Sequence, residues 1–387
     1  MMKVAILGGG PSGLYLGLLL KRGAPDWQVE TIEQNAADAT FGFGVVLADT
    51  GLLQLRDADP DSYEALCAAT TQHEHQVIVQ AETAINIRLP VKGGAIPRLT
   101  LLQILEQQAE AAGVVVHYKQ RIESLDDLAR LGLDDADVVV GADGINSLVR
   151  RTFEADFGTT TNTLGNHFAW YGTPKVFEAS ALVFRKYAGG HFVAHYYAYS
   201  EEMSTFVAEC DDATWQRLKL GDMSNAQRQA LMEKIFAPEL EGAPLMDGNA
   251  RVVWRQFPAI RNAHWTHGRY VLVGDALASA HFSIGSGTRI AMNDSIALAK
   301  ALLGCEGDAL RGLAAYERNH KPSKQKLIRA SERSYLWYEQ MAQWMDTYSA
   351  EEFVYQFMTR TGRVDDDRLR REYPELMGRL GNVGSPV

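Results

Sequence analysis

Short apolar runs and amphipathic stretches alternate in the first part of the chain. Residues 4–7 form an apolar run that ends in three glycines, residues 11–21 have helical periodicity, and residues 28–33 have the pattern of a second strand. Residues 99–118 predict a further helix and strand, and residues 137–140 predict another buried strand. Strands that alternate with helices in this way indicate a parallel sheet with helices on its faces.

The middle of the chain has a different pattern, in which short segments are rich in aromatic and β-branched residues. These segments predict an antiparallel sheet, and residues 215–236 predict a helix. The predicted strands are residues 85–89, 168–172, 181–185, 190–197 and 203–210. An apolar strand at residues 269–273 returns to the first pattern. Residues 335–358 then predict one or two amphipathic helices on the outside, before a loose tail at residues 381–387.

The predicted fold class is therefore α/β. A Rossmann-like domain with a parallel sheet receives an inserted, mainly antiparallel sheet domain, and helices follow at the C-terminus. The expected boundaries are residues 1–75, 95–165 and 265–330 for the first domain, residues 76–94 and 166–264 for the sheet domain, and residues 331–387 for the C-terminal helices and tail.

A glycine motif, Gly8-x-Gly10-x-x-Gly13, joins the first predicted strand to its helix. Gly8 permits a tight turn, Gly10 lets the backbone approach a pyrophosphate, and Gly13 lets helix and strand pack closely. The helix N-terminus offers free N–H groups to phosphates, and Ser12 adds a hydroxyl donor. Glu33 ends the second strand 20 residues after Gly13, where its carboxylate can accept ribose hydroxyls. The motif predicts a bound dinucleotide and does not distinguish FAD from NAD.

A downstream segment distinguishes the two dinucleotides. The strand at residues 269–273 leads into Gly274 and Asp275, and residues 285–287 open a helix that runs to about Leu303. An aspartate can hold the ribityl hydroxyls of a flavin, and a helix N-terminus can stabilise the negative charge of reduced flavin. An NAD-binding half needs neither feature. We therefore predict FAD as the cofactor, the alternative being a buried strand followed by an ordinary helix.

The order of these motifs resembles that of single-component flavin-dependent aromatic hydroxylases of the para-hydroxybenzoate hydroxylase class. The glycine turn, Asp143-Gly144 in VVVGADGINSLVR and Gly274-Asp275 occur in the same order, and the similarity covers nearly the whole chain. In that class the first and third motifs bind FAD, and the middle motif is associated with FAD and transient NAD(P)H. Arg98 matches the family arginine that reaches the FAD region.

The third motif departs from the general pattern of the class. Ala278 and Phe282 replace the usual histidine and proline, and Ser286 and Arg289 replace the usual Gln and Asn. The segments AHFSIGSGTR, FGFGVVL, WYGT and MSTFVAEC are similar to those of salicyloyl-CoA 5-hydroxylases and 2-aminobenzoyl-CoA monooxygenases. A violacein-pathway hydroxylase shares HFSIG and MSTF. Known aminobenzoyl-CoA enzymes are longer and carry a second flavin domain. This sequence shows no counterpart of that domain, so we expect this chain to be a stand-alone hydroxylase.

The resemblance implies a monooxygenase that reduces FAD with NADH or NADPH and hydroxylates an aromatic ring through a flavin hydroperoxide formed with dioxygen. The preferred reaction is 5-hydroxylation of salicyloyl-CoA to gentisyl-CoA, so an aromatic CoA thioester is the expected partner. Two alternatives stay open: hydroxylation of a free indole or phenol, and a flavoprotein that does not hydroxylate.

Two histidines are candidate catalytic residues. His281 lies between the third motif and its helix, and His195 shares one strand face with Tyr197 because alternate residues of a strand point the same way. A buried histidine with a satisfied hydrogen bond is the alternative for each. Arg185 and Lys186 are candidate phosphate contacts, with solvated strand-end charge as the alternative.

The remaining candidates fall into two sets. The expected cofactor-binding residues are Gly8, Gly10, Ser12, Gly13, Glu33, Gln34, Arg98, Asp143, Gly274, Asp275, Gly285, Ser286 and Gly287. The expected substrate-pocket residues are Gly44, Val45, Trp170, Tyr197 and Phe282.

Composition narrows the class of protein further. The 387 residues carry a formal net charge of −10, which argues against a nucleic-acid partner. The three cysteines, Cys67, Cys210 and Cys305, have no metal-ligand spacing, so we expect no metal site and a reducing, cytoplasmic setting. The longest apolar run, residues 14–20, is too short to span a membrane. The sequence leaves the oligomeric state and the choice between NADH and NADPH open.

Overall fold

The computed structural model describes residues 1–39, 42–248, 252–285 and 287–380, so the predicted tail lies outside it. In chain order the strands are β1 (Lys3–Leu7), β2 (Gln28–Ile32), β3 (Gly44–Ala48), β4 (Thr71–Gln80), β5 (Thr83–Pro97), β6 (Val115–His117), β7 (Val138–Gly141), β8 (Thr159–Thr173), β9 (Ser180–Tyr187), β10 (Gly190–Ala198), β11 (Ser204–Cys210), β12 (Arg255–Asn262), β13 (Thr266–His267) and β14 (Tyr270–Leu272). The helices are α1 (Pro11–Gly23), α2 (Asp49–Ala58), α3 (Pro60–Ala68), α4 (Arg98–Ala111), α5 (Leu148–Thr152), α6 (Glu154–Phe157), α7 (Asp212–Arg217), α8 (Asn225–Ile235), α9 (Ala237–Leu240), α10 (Gly287–Leu303), α11 (Ala309–Glu339), α12 (Met341–Thr347), α13 (Ala350–Thr359), α14 (Asp366–Glu372) and α15 (Pro374–Leu380).

The first sheet has the strand order β13-β14-β7-β1-β2-β6. Its strands pair in parallel, except that β13 pairs antiparallel with β14. Every residue of β7 is buried, because α1, α4 and α10 contribute to one core with this sheet. The predicted Rossmann-like parallel sheet is therefore confirmed.

The second sheet has the order β12-β8-β11-β10-β9-β4-β5-β3 and is antiparallel except where β4 pairs with β9. Alternate residues of its central strands face opposite sides. On one side, Ala194, Tyr196 and Phe206 pack with residues of α8 and α9. On the other side, His195, Tyr197 and their neighbours face toward the first sheet and the C-terminal helices, which leaves space for a pocket.

Several elements differ from those predicted. The helix predicted at residues 215–236 is interrupted, because Lys219 adopts a left-handed conformation and Ser224 caps α8 with a capping box to Gln227. Strands β3 and β12 and helices α2 and α3 have no counterpart in the prediction. The domain boundaries stay a prediction, but β3 and the first half of β8, which pairs with β12, belong to the second sheet although their residues were assigned to the first domain.

The C-terminal helices connect the two sheets. Leu313 and Tyr316, near the start of α11, lie in the core of the first sheet. Trp337 and Tyr338, near its end, pack with Phe184 of β9 and with residues of α13. The predicted amphipathic segment at residues 335–358 thus contains the end of α11, then α12 and most of α13. Among the described helices, none is both long and apolar enough to cross a bilayer.

Candidate active site

The glycine turn after β1 is fixed by close backbone contacts. A Cβ on Gly8, whose φ is +109°, would lie 2.4 Å from the carbonyl oxygen of Ala142, and a Cβ on Gly13 would lie 1.9 Å from that of Gly8. Gly10 has no such neighbour within 4 Å among the described residues, so its backbone faces open space. The turn therefore has tight packing at its two ends and an open position between them, as a phosphate cradle requires.

Glu33 holds the same turn from the end of β2. Its Oε2 accepts a hydrogen bond of 2.8 Å from the backbone N–H of Gly9, and its Oε1 accepts one of 2.8 Å from that of Asn35. Gln34, which lies between Glu33 and Asn35 in the sequence, is exposed. The carboxylate of Glu33 is thus already hydrogen-bonded within the protein, and it lies directly beside the glycine turn.

The middle and third motifs are joined to each other. Asp143 accepts a 2.6 Å hydrogen bond from the N–H of Leu148, and its other carboxyl oxygen is buried without a partner. Burial raises the pKa of Asp143. Arg150 donates a 3.0 Å hydrogen bond to the carbonyl oxygen of Ala276, next to Asp275. The two motifs therefore meet at one edge of the first sheet.

Arg98 and Asp275 bring opposite charges to that edge. Arg98 begins α4, and its Nε is buried without a partner. Burial lowers the pKa of Arg98 and raises that of Asp275, and the attraction between the two charges partly opposes both shifts. Asp275 lies in the interior of the protein, and its exposed surface faces a cavity. Unpartnered polar atoms at the wall of a deep cavity fit a large polar cofactor.

This first cavity has a volume of about 610 Å³ and contains candidates from both predicted sets. The cofactor candidates that line it are Gly10, Ser12, Arg98, Asp275, Gly285 and Gly287. All five pocket candidates, Gly44, Val45, Trp170, Tyr197 and Phe282, line it as well, together with His195. Gly8, Gly13, Glu33, Gln34, Asp143 and Gly274 are not among its lining residues, and Ser286 lies outside the described residues.

The sheet face in the cavity is aromatic. The rings of His195 and Tyr197 have centroids 5.1 Å apart, as their alternation on β10 predicted, and the ring of Trp170 lies 5.5 Å from that of Phe282. The hydroxyl of Tyr197 donates a 3.0 Å hydrogen bond to the carbonyl oxygen of Gly44. Burial lowers the pKa of His195 to about 4, so its ring is neutral at pH 7.

His281 has different surroundings. It is buried, its Nδ1 accepts a 3.2 Å hydrogen bond from the N–H of Ser283, and its ring packs 4.7 Å from that of Phe257. Burial lowers its pKa to about 3. His281 does not belong to the described lining of the first cavity. These contacts fit the alternative interpretation, a packed ring that caps a short turn, and a catalytic role for His281 stays a prediction.

A second cavity of about 330 Å³ lies behind the first. The two share the lining residues Val46, His195, Tyr197, Val207, Phe282 and Gly285. The second cavity adds the ionisable side chains of Glu209 and Arg360, which the sequence did not single out. Burial raises the pKa of Glu209 to about 8, so its carboxyl is protonated at pH 7. The only sequence signal for Glu209 is its place in a strand whose alternate residues face the pocket.

Arg185 and Lys186, the candidate phosphate contacts, lie away from both linings and are neutralised by acids. Arg185 forms ion pairs with Glu239 at 2.7 Å and Glu82 at 3.1 Å, and Lys186 forms one with Asp346 at 2.5 Å. Lys186 thus fits the alternative of solvated strand-end charge, whereas the Arg185 side chain is only 10% exposed and is held in a mostly buried ion pair with Glu239.

Comparison with known proteins gives the cofactor. Residues 1–331 match a protein family described as an FAD binding domain. The chain belongs to this family. Its site suits FAD: the backbone at Gly10 is open to phosphates, and Arg98 and Asp143 have buried polar atoms without a partner among the described residues.

The relatives of this FAD-binding chain are monooxygenases. The salicyloyl-CoA 5-hydroxylase of a Streptomyces species is 35% identical over 93% of this chain and 70% of its own length. The 3-hydroxy-4-methyl-anthranilyl-[aryl-carrier protein] 5-monooxygenase of Streptosporangium sibiricum is 32% identical over 88% of this chain and 90% of its own. The chain is thus an FAD-dependent aromatic monooxygenase, and NAD(P)H is the reductant typical of this family.

A solved structure shows the same fold. The tetrameric form of 2-methyl-3-hydroxypyridine-5-carboxylic acid oxygenase superposes with a TM-score of 0.71 and 17% identity, over 94% of this chain and 98% of that chain. The predicted combination of a Rossmann-like parallel sheet, an inserted antiparallel sheet and C-terminal helices is the architecture that both share.

Proposed function

We propose that this enzyme hydroxylates the ring of an aromatic CoA thioester, and that its reaction is 5-hydroxylation of salicyloyl-CoA to gentisyl-CoA. One observation carries the proposal: a single cavity is lined both by six of the cofactor candidates and by the aromatic sheet face. The 35% identity with a salicyloyl-CoA 5-hydroxylase over 93% of this chain supports the choice of substrate. The name of the second relative, which places its aromatic acid on a carrier protein, supports an acyl-linked substrate.

Different residues around the cavity can bind different parts of the cofactor. We assign the pyrophosphate to Gly10, Ser12 and the N-terminus of α1, because free N–H groups at a helix start favour phosphate. Gly8 and Gly13 shape that turn. Glu33 and Gln34 are assigned to the adenosine ribose, and Asp275 to the ribityl chain. Bound FAD, once reduced by NAD(P)H, would activate dioxygen, so that one oxygen atom enters the aromatic ring and the other leaves as water.

The other cofactor candidates then belong to the flavin side of the site. We assign Gly285, Ser286 and Gly287 to the flavin ring, and Gly287 begins α10. Arg98 supplies a positive charge and Asp143 a carboxyl at the edge of the site, and Gly274 holds Asp275 in place through its N–H bond of 2.9 Å to Asp294. Electrostatic groups that are fixed before the reaction stabilise developing charge without reorganisation.

His195 is assigned to the substrate. Because its pKa is about 4, the ring is neutral at pH 7 and can donate one hydrogen bond and accept another. It can therefore orient a ring hydroxyl or thioester carbonyl, and as a base it is weak. Trp170 and Phe282 form an apolar wall, which excludes water from the reacting ring. Tyr197, whose hydroxyl is bonded to Gly44, positions β3 beside the pocket.

The test is substrate-stimulated oxidation of NAD(P)H by the FAD-loaded enzyme, with product mass analysis under labelled dioxygen. Salicyloyl-CoA, benzoyl-CoA, free salicylate and a free indole form the panel. We expect salicyloyl-CoA to stimulate oxidation most and to gain one labelled oxygen atom. Equal turnover of free salicylate, or turnover of the indole alone, would overturn the proposal.

A further inference from the structure

Four arginines lie around the turn that follows α13. Arg360 and Arg363 belong to this turn, Arg333 reaches it from α11, and Arg289 reaches it from the first turn of α10. Arg333 donates a 3.3 Å hydrogen bond to the carbonyl oxygen of Thr361. Burial lowers the pKa of Arg289, and the nearby positive charge of Arg363 lowers it further. We call Arg289, Arg333, Arg360 and Arg363 the arginine cluster. It is a concentration of positive charge on a chain whose formal net charge is −10.

Within the described part of the chain, no member of the arginine cluster forms an ion pair with an acid. The neighbouring acids are engaged elsewhere. Asp365 accepts a 2.8 Å hydrogen bond from the N–H of Arg368 at the start of α14, and Asp366 and Asp367 form ion pairs with Arg370. Like charges that are brought together without counter-charges destabilise a fold, so such a cluster is suited to an anionic ligand.

The arginine cluster extends from the surface to the second cavity. Arg333 and Arg363 are exposed, Arg289 is half-buried, and Arg360 lines the cavity together with Thr361 and Val364. The guanidinium of Arg360 donates to two neutral carbonyl oxygens, of Ser283 at 2.8 Å and of Phe357 at 2.6 Å, and its Cζ lies 3.8 Å from the centroid of the Phe357 ring.

Because these partners are neutral, the positive charge of Arg360 is not compensated by them. The acid that lines the same cavity, Glu209, is protonated at pH 7 and does not neutralise it. The cavity continues from Arg360 to His195 and Phe282, which it shares with the first cavity. The lining of this cavity therefore extends from the half-buried Arg360, beside the exposed members of the cluster, to the aromatic wall of the active site.

We propose that the arginine cluster binds the phosphate groups of the CoA portion of the substrate, while the second cavity receives its acyl-bearing arm. Arginine is suited to this role because its planar guanidinium presents paired N–H donors to phosphate oxygens. Arg333 and Arg363 meet the phosphates at the surface, and Arg360 meets the thioester carbonyl inside. The inference rests on the proposed CoA thioester substrate and adds the place where CoA is recognised.

The test uses the FAD-loaded enzyme and a double variant, Arg333→Gln with Arg363→Gln, whose exposed side chains can be replaced without disturbing a core. We expect the KM for salicyloyl-CoA to rise about ten-fold with kcat unchanged, because two exposed charge contacts are lost. The KM for NAD(P)H should stay the same. Arg318→Gln is the matched control, since it removes an exposed arginine from the same helix about 22 Å away.

Two further ligands make the readout specific for phosphate. The N-acetylcysteamine thioester of salicylate lacks all CoA phosphates, so the double variant and the wild-type enzyme should use it equally well. Free CoA should inhibit the wild-type enzyme more strongly than dephospho-CoA, and the double variant should lose this preference.

Each contrary outcome has a separate meaning. If salicyloyl-CoA is hydroxylated and its KM is the same in the double variant, the CoA site is not at the arginine cluster. A raised KM for NAD(P)H instead would assign the cluster to the reductant and overturn the inference. If the N-acetylcysteamine thioester is affected equally, the variant acts through the fold and not through phosphate. Absence of aryl-CoA turnover in the wild-type enzyme refutes the proposed function itself.

Discussion

The guanidinium of Arg150 on α5 donates a 3.0 Å hydrogen bond to the carbonyl oxygen of Ala276, which lies 126 residues further along the chain. The side chain of Arg150 is 5% exposed and carries its charge into the contact between the middle and third motifs. This buried, charged donor adds a side-chain contact between two motifs that the pairing of β7 with β14 also brings together.

Replacement of Arg150 should therefore weaken cofactor binding. Loss of a hydrogen bond from a charged donor costs about 1.5–3 kcal/mol, so Arg150→Gln should lower FAD affinity by roughly ten-fold or more. Fluorescence titration of the apoprotein with FAD measures the change. Arg151→Gln is the control, because Arg151 is exposed and donates only to the carbonyl oxygen of Ser147 at 3.2 Å. Equal affinities of the two variants would contradict the assignment.

Replacement of Gly13 by alanine should destabilise the fold, whereas replacement of Gly10 by alanine should weaken FAD binding. A Cβ at Gly13 would lie 1.9 Å from a backbone oxygen, whereas a Cβ at Gly10 would have no atom of the described part of the chain within 4 Å. Gly13→Ala should therefore disrupt the β1–α1 contact, with a large loss of thermal stability. Gly10→Ala should fold normally and bind FAD less tightly, because the added methyl occupies the open position. Melting curves without FAD, together with FAD content after purification, separate the two effects. Normal FAD binding by Gly10→Ala would refute the pyrophosphate assignment.

Glu209 should make stability depend on pH. Its folded pKa, about 8, is above its ordinary value of 4.5, so the carboxyl stabilises the fold below pH 4.5 and this stability is lost as the pH rises toward 8. Glu209→Gln removes that loss and can still accept the hydrogen bond from Asn166. We expect the variant's gain in unfolding free energy to be about 2–3 kcal/mol larger at pH 7 than at pH 5. Urea titrations at both pH values measure it, and the contributions of the histidines cancel in the difference.

His195 should act as a neutral hydrogen-bonding group. Because its pKa is about 4, the pH profile of kcat/KM should show no ionisation of this residue between pH 5 and pH 8. His195→Phe should lower the yield of hydroxylated product per NAD(P)H oxidised, by roughly ten-fold, and His195→Gln should retain more of it. An inflection near pH 6.5 that disappears in His195→Gln would show a charged role instead.

The cofactor half of the site could be predicted because its residues are close in sequence to the elements that position them. The glycine turn, Glu33 and Asp275 each follow a short apolar strand, and parallel strands bring their carboxyl ends to the same edge. The alternation of His195 and Tyr197 on β10 likewise needs only the period of a strand. These predictions depend on local geometry, which the order of residues determines directly.

The elements that sequence reasoning missed depend on distant partners. Strand β12 contains Pro258, which argues against a strand, and the structure accommodates it at a register shift on the sheet edge. The interruption before α8 had a local signal, the Ser224 and Gln227 capping box. Arg360 had none, because an arginine at a helix end is an ordinary favourable charge. Only its position beside the second cavity gives it significance.

Helix α11 has a consequence for how the molecule unfolds. Its 31 residues extend over about 46 Å. Tyr316, near one end, donates a 3.2 Å hydrogen bond to Leu272 in the first sheet, and Trp337, near the other, packs against Phe184 in the second. Unfolding of α11 would therefore expose apolar surface in the cores of both sheets. The two sheets should therefore share one cooperative melting transition.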